Sequence, residues 1–180
     1  MIIDFLKTAS MEELNQLAIM AAFDIGRPDN RVEYDIWYSS SSDRMLDFIS
    51  DFAHLDTKFG DTVLMTPRFR FWQCFECEKD FIERNCFGNG KYCAHDSNHP
   101  TIPGRDIILE DLRQMCVYEK DYTSKKTRGL WWDYIINVHE ECYGGVTKEC
   151  SRLAHKDLGM SFDITNVCVV NSFGTTTPGK

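Results

Sequence analysis

The chain has 180 residues. Its 20 lysines and arginines stand against 28 aspartates and glutamates, so the net charge is −8 with histidine neutral and the pI is about 5.1. That balance argues against a nucleic-acid binder, which needs a basic surface, and against docking to anionic lipid. The composition is that of an ordinary globular protein, and no apolar run approaches the roughly 18 residues of a membrane span.

In chain order, Ser10-Met-Glu-Glu13 has the form of a capping box. Leu14, Leu17, Ala18 and Ala21 follow on one helical face, and Gly26 and Pro28 stop that helix. Val32, Tyr34, Ile36 and Tyr38 then alternate with Glu33, Asp35 and Trp37, the period of a strand. Ser39 to Ser42 form a polar loop whose last serine suits an N-cap. Met45, Ile49 and Phe52 mark a second helix ended by Gly60. Val63 to Trp72 reads as a second strand, bent or at an edge where Pro67 falls. Strand, helix and strand over 31–73 imply a parallel pair joined by a crossover.

From Cys74 the pattern changes to short helices. Ile108, Leu112, Met115 and Cys116 share one face; Trp131, Ile135, Val138 and Cys142 share another. Val146, Cys150, Leu153 and Ala154 make a third, closed by Gly159. By that reading Trp131 is buried and Trp132, about 100° round the helix, less so. Lys120 to Gly129 reads as a polar loop and Asn171 to Lys180 as a tail or linker. The organisation expected is therefore a helix and linker over 1–30, a strand–helix–strand half over 31–73, a cysteine-rich helical insertion over 74–170, and the tail over 171–180.

All eight cysteines, Cys74, Cys77, Cys86, Cys93, Cys116, Cys142, Cys150 and Cys168, fall after the second strand. Their even number and clustering suggest a disulfide framework in an oxidising compartment. Eight cysteines allow roughly a hundred pairings, and the sequence does not choose among them. Met1 to Thr8 lacks the basic start and unbroken apolar core of a signal peptide, because Asp4 interrupts it. The chain is thus either a piece of a longer precursor or a cytosolic protein. There is no Asn-x-Ser/Thr sequon.

Three chemistries can be weighed. Cys74-Phe-Glu-Cys77 has redox spacing, but a thioredoxin-type thiol sits after the first strand, where Ser39 to Ser42 stand instead. Glu76, Glu78 and Asp80 beside the existing pair disfavour a thiolate. Cys74 and Cys77 with His95 and His99 offer zinc-ligand types, yet the gap between them exceeds the about 12 residues of a zinc finger. His54, His139 and His155 lie on helices without a nucleophile motif, and Asp133 reads as a polar residue of an aromatic helix. Gly88-Asn-Gly90 and Gly144-Gly145 are turn signals, not phosphate loops. No catalytic residue, metal or cofactor is expected.

Four blocks, taken together, resemble one known family. Pro28-Asp-Asn-Arg-Val-Glu-Tyr-Asp-Ile-Trp37, Gly88-Asn-Gly-Lys-Tyr-Cys-Ala94, Glu110-Asp-Leu-Arg-Gln-Met-Cys-Val-Tyr118 and Trp131-Trp-Asp-Tyr134 are similar, in order and spacing, to the central cysteine-rich domain of vacuolar sorting receptors. Cys142, Cys150 and Cys168 fall where that domain carries cysteines, with Leu158-Gly159 before the last. The resemblance runs from about Pro28 to Cys168.

It implies an α/β fold, a partial thioredoxin-like strand–helix–strand unit with a disulfide-tied helical insertion. It implies a non-catalytic luminal module of a receptor that sorts soluble vacuolar or lysosomal proteins. Cargo would bind through a neighbouring domain, the parent would be membrane-anchored, and the setting would be the Golgi and prevacuolar lumen. The alternative is a divergent luminal disulfide oxidoreductase using Cys74 and Cys77. Three departures from the family matter. Cys77 is extra and one cysteine before Cys86 is missing, so one bridge is expected to be rerouted. The loop after the first strand lacks the family's thiols. The family also continues into a proline-bearing strand, which another segment would have to supply here.

Overall fold

The computed structural model describes residue 10 and residues 31–123, 129–143 and 145–173. The helix expected after Ser10 lies outside them, as do residues 124–128 and 174–180. The chain divides into two compact units, Met1–Asp35 with Phe59–Thr66 and Ile36–Lys58 with Pro67–Lys180.

Strand β1 spans Val32–Tyr38, helix α1 Asp43–Phe59 and strand β2 Val63–Phe69. Alternation in β1 buries Ile36 and Tyr38 and leaves Trp37 exposed. On α1, Leu46, Ile49 and Ala53 form the buried stripe, with Asp43 in the first turn and Lys58 in the last, each complementing the helix dipole. β2 buries Val63, Met65 and Pro67 on alternate positions. β1 and β2 are hydrogen-bonded neighbours in a two-stranded sheet. The Tyr38 carbonyl at the end of β1 accepts the Arg70 amide just past the end of β2, at 3.2 Å. The two carboxyl ends therefore lie together, as parallel strands joined by a crossover require.

The cysteine-bearing stretch opens with more than helices. Helix α2 (Lys79–Asn85) leads into a hairpin of two-residue strands, β3 (Cys86–Phe87) and β4 (Tyr92–Cys93). Such strands are too short for periodicity to register. Gly88, Asn89 and Gly90 all have positive φ in the turn between them, a conformation that glycine and asparagine tolerate. Trp72 extends the hairpin by an isolated antiparallel bridge to Cys93.

Helices α3 (Gly104–Thr123), α4 (Leu130–Glu141), α5 (Lys148–Asp157) and α6 (Phe162–Ser172) follow, with α3 packed against each of the other three. Gly104 begins α3 where a Cβ would lie 1.9 Å from the Ala94 carbonyl oxygen, so only glycine fits. Residues Lys120–Thr123, expected in a loop, continue α3 instead. Asn171 and Ser172, expected in the tail, close α6. No helix of the described residues is long and apolar enough to cross a membrane.

The cysteines are joined in four pairs: Cys74–Cys77, Cys86–Cys93, Cys116–Cys168 and Cys142–Cys150. The second crosses the β3–β4 hairpin between directly opposed residues. The third ties α3 to α6, and the fourth ties the end of α4 to the first turn of α5.

Between the helices lies a polar network, not a purely apolar core. Glu110 is fully buried; its Oε1 accepts the Tyr134 hydroxyl at 2.8 Å and Gln114 Nε2 at 3.3 Å, and its Oε2 accepts Arg113 Nη1 at 3.1 Å. Arg113 Nε donates to Asn166 Oδ1 on α6 at 3.2 Å. The Tyr38 hydroxyl donates to Gln114 Oε1 at 2.6 Å, fastening the end of β1 to α3. Burial and the Glu110 charge hold the Tyr134 hydroxyl well above its ordinary pKa, so it is a donor throughout the physiological range.

Two residues are buried more fully than the sequence suggests. Trp132, expected to be less buried than Trp131, is 5% exposed against 1%, because α1 covers its side of α4. Its indole Nε1 donates to Asp56 Oδ2 at 2.8 Å and its ring lies against Phe52. His155, read from the sequence only as a helical histidine without a nucleophile motif, is fully buried; Nδ1 donates to the Ser151 carbonyl at 2.8 Å and Nε2 lies 3.0 Å from Thr165 Oγ1. Burial lowers its pKa, so the ring sits neutral in the fold.

Candidate functional site

In parallel α/β units, ligands favour the crevice outside the carboxyl ends of the strands, where loops diverge and a helix begins. Here that place holds a crevice of about 360 Å³. One wall is the loop after β1 with Ser39, Ser41 and Ser42; another is Arg70 and Trp72, just past β2; the third is Ala94 to Asn98, just past β4.

Each wall is held from behind. The Ser40 amide donates to Asp111 Oδ1 on α3 at 2.9 Å, pinning the serine loop. Burial, with a smaller push from the Glu110 charge, drives the Asp111 carboxyl up to about 8, against the pull of its hydrogen bonds from Ser40. Trp72 exchanges two backbone hydrogen bonds with Cys93, at 3.1 and 2.8 Å, beside the Cys86–Cys93 bridge. Phe81 buttresses the Trp72 ring at 5.8 Å and the His95 ring at 6.0 Å. His99 Nε2 lies 3.1 Å from Asp43 Oδ2, linking the third wall to the first residue of α1.

Ser42 was expected to cap α1 with its hydroxyl. Its carbonyl accepts the Met45 and Leu46 amides instead, at 2.9 and 3.0 Å, while the side chain faces the crevice. Ser39 Oγ and Ser41 Oγ bond each other at 3.1 Å.

The chemistries considered from the sequence meet this geometry as follows. No cysteine lines the crevice. Cys74 and Cys77, bonded to each other, lie beyond Trp72, where the Cys74 amide donates to the Gly90 carbonyl at 2.8 Å. His95 and His99 face Phe81 and Asp43 rather than those sulfurs. Among the described residues no three or more His, Cys, Asp or Glu side chains gather around a metal-sized space. His139 Nε2 bonds Asp47 Oδ1 at 2.9 Å, tying α4 to α1, and Asp133 is exposed. From the sequence the serines read as a polar loop, a helix cap and the place of missing thiols, and Arg70, Trp72 and Asp96 carry no functional signal there. Only part of the signal lies in the sequence: Ser39 directly follows the first strand of a crossover unit, whereas the expected second strand runs to Trp72 and holds Arg70 inside it, and the structure ends β2 at Phe69.

A strand–helix–strand unit with adjacent carboxyl ends, followed by a disulfide-tied helical layer, is a thioredoxin-like arrangement. A family model described as the vacuolar sorting receptor thioredoxin-like domain matches residues 32–177. The chain belongs to that family. Vacuolar-sorting receptor 6 of Arabidopsis thaliana is 30% identical over 162 residues, which cover 79% of this chain and 25% of the receptor. Vacuolar-sorting receptor 1 of Pisum sativum is 30% identical over 163 residues, 81% of this chain and 26% of the receptor. Vacuolar-sorting receptor 5 of Arabidopsis thaliana gives 30% over 165 residues, with the same coverage as the pea protein. The chain thus spans about a quarter of the length of the curated relatives it matches.

Proposed function

We propose that this chain is a non-catalytic luminal module of a receptor that sorts soluble proteins to the vacuole or lysosome. The observation that carries the reading is the match of residues 32–177 to the thioredoxin-like domain of vacuolar sorting receptors. Four disulfides in 180 residues favour an oxidising lumen over the cytosol. Its partners are the rest of the receptor chain and a cargo protein or peptide held mainly by a neighbouring domain. The setting is the Golgi and prevacuolar lumen, with the parent anchored in the membrane.

The test is a domain exchange. In cells lacking their own receptor, the pea receptor is expressed intact, without its thioredoxin-like domain, or with this chain in its place. The expected result is that deletion sends soluble vacuolar cargo into the medium and the exchange restores retention. Unimpaired sorting by the deleted receptor would overturn the reading. The absence of catalysis is tested separately with insulin reduction against thioredoxin. Turnover above background that disappears in Cys77→Ser would place the chain among oxidoreductases instead.

A further inference from the structure

The crevice at the strand ends is supplied with hydrogen-bond donors that the chain itself does not use. The Arg70 side chain is exposed and makes no hydrogen bond or ion pair among the described residues, and neither the Trp72 indole N–H nor the Ser42 hydroxyl has an acceptor there. Trp72 is 40% exposed and offers a ring face beside them. The one carboxylate on the lining, Asp96, is buried, and its Oδ1 already accepts the Asn98 amide at 2.8 Å. Unused donors and one cation lining the same crevice, beside an aromatic face, call for an acceptor-rich anion attached to an apolar group.

We propose that this crevice binds a peptide segment through a carboxylate placed on Arg70, with the adjoining apolar side chain against Trp72. Arginine suits the carboxylate because its guanidinium is planar, always charged and able to form two parallel N–H···O bonds. Asp96 repels the charged end from the Asn98 side and so sets the direction in which the peptide lies. The walls are already fixed by the Ser40–Asp111 bond, the Trp72–Cys93 exchange and the Asp43–His99 contact, so little ordering opposes binding. About 360 Å³ is at the small end of the roughly 300–1,000 Å³ of ligand pockets, which suits one or two residues rather than a long segment. The ligand's being part of a cargo protein rests on the receptor reading above; the recognition chemistry does not.

The test uses the purified chain with its disulfides intact and three small peptides: acetyl-Phe-Asp-amide, acetyl-Phe-Asn-amide, and acetyl-Gly-Phe with a free terminal carboxylate. Binding is followed by two-dimensional NMR at the Trp72 indole and the amides of Ser41 to Arg44. The expected result is saturable binding of at least one carboxylate peptide, and none or much weaker binding of the Asn peptide. The first peptide against the third separates an acidic side chain from a chain end as the anchor. Arg70→Gln is expected to weaken binding about tenfold or more, the scale of one charge-assisted hydrogen bond, with Arg70→Lys recovering part of the loss. Trp72→Ala is expected to weaken binding of acetyl-Phe-Asp-amide, because the Phe ring loses the indole face it lies against. Both positions are exposed, and an unchanged melting curve for each variant confirms the fold.

Equal binding of the Asp and Asn peptides, shifts confined to residues outside the crevice, or unchanged affinity in Arg70→Gln would each overturn the proposal. A domain dispensable for sorting whose crevice still binds would remove the receptor reading alone. A domain needed for sorting whose crevice binds none of the peptides would remove this inference alone.

Discussion

Residues 31–73 and the helical layer over 104–172 hold themselves together by different means. The first stretch contains no cysteine, and its order comes from apolar side chains at regular spacing, such as Leu46, Ile49 and Ala53 along α1. The helical layer buries Glu110, Asp111, Arg113, Gln114, Asp121, Ser151 and His155, and is crossed by two disulfides. Apolar burial is non-directional and tolerates repacking, whereas a buried polar network is stabilising only while every member has its partner. The helical layer should therefore fail abruptly on single changes that the strand–helix–strand stretch would absorb.

The sharpest way to break that contrast is Arg113→Met. The substitution leaves the Glu110 carboxylate buried without its cation, and the expected loss is about 3–5 kcal/mol of unfolding free energy, measured by denaturant titration. Adding Glu110→Gln should recover much of it, because the amide carries no buried charge while its Oε1 still accepts from Tyr134 and Gln114. A loss below about 1 kcal/mol for the single variant would show that the pair is not a buried unit, since surface pairs contribute that little.

The disulfides grade the layer further. Cys116–Cys168 closes a separation of 52 residues, for which chain entropy gives about 4 kcal/mol. Cys142–Cys150 closes 8, for about 2.5 kcal/mol. Cys74–Cys77 closes 3, for less than about 2 kcal/mol. Paired Cys→Ser variants, unfolded thermally without reductant, should follow that order. A larger loss from the 74–77 pair than from the 116–168 pair would show that a local loop, not the helical layer, limits stability.

A pH profile sharpens the comparison next. Asp111 is pushed to about 8 in the fold, above its value in the unfolded chain. The unfolded state therefore releases the proton first as pH rises. The stability Asp111 contributes is fully present below about pH 4 and is lost as pH climbs to 8, by an amount on the order of a few kcal/mol. His155 acts in the opposite sense, since its lowered pKa removes stability as pH falls through about 6.5. Asp111→Asn keeps an acceptor for the Ser40 amide and should flatten the fall between pH 6.5 and 8. Melting temperatures across pH 4–9 check this, and an Asn variant with the same slope as the parent would place the titration elsewhere.

The smallest expected effect probes where the two regions meet. Trp132→Phe keeps a ring against Phe52 but removes the N–H donated to Asp56 and part of the buried indole, for a loss of about 1–2 kcal/mol. If Trp132→Phe costs as much as Trp131→Ala, at about 3–5 kcal/mol, packing rather than the hydrogen bond governs the contact.

The amino-acid sequence by itself determined the elements that present one face to the core and one to water. Period-two alternation marks Val32–Tyr38, and helical spacing marks α1 between a serine loop and Gly60, although its buried stripe is Leu46, Ile49 and Ala53 while Met45 and Phe52 of the expected face are half-buried. The four spaced blocks likewise carried the family, because order and spacing survive where identity is about 30%. Helix α6 escaped that reading: it exposes Ile164, Val167 and Val170 while burying Val169, so no single apolar stripe marks it. Which cysteines pair was decided by tertiary structure, since only folding brings Cys116 and Cys168 to a Cα separation of 6.0 Å. Folding likewise put Glu110, Asp111 and His155 inside and Trp132 under α1. A polar side chain is buried when partners distant in sequence satisfy it, and periodicity carries no record of those partners. The crevice has the same origin: Ser42, Arg70, Trp72 and Asp96 are unremarkable one at a time, and become a site because the parallel strand ends and the bridged hairpin bring them together.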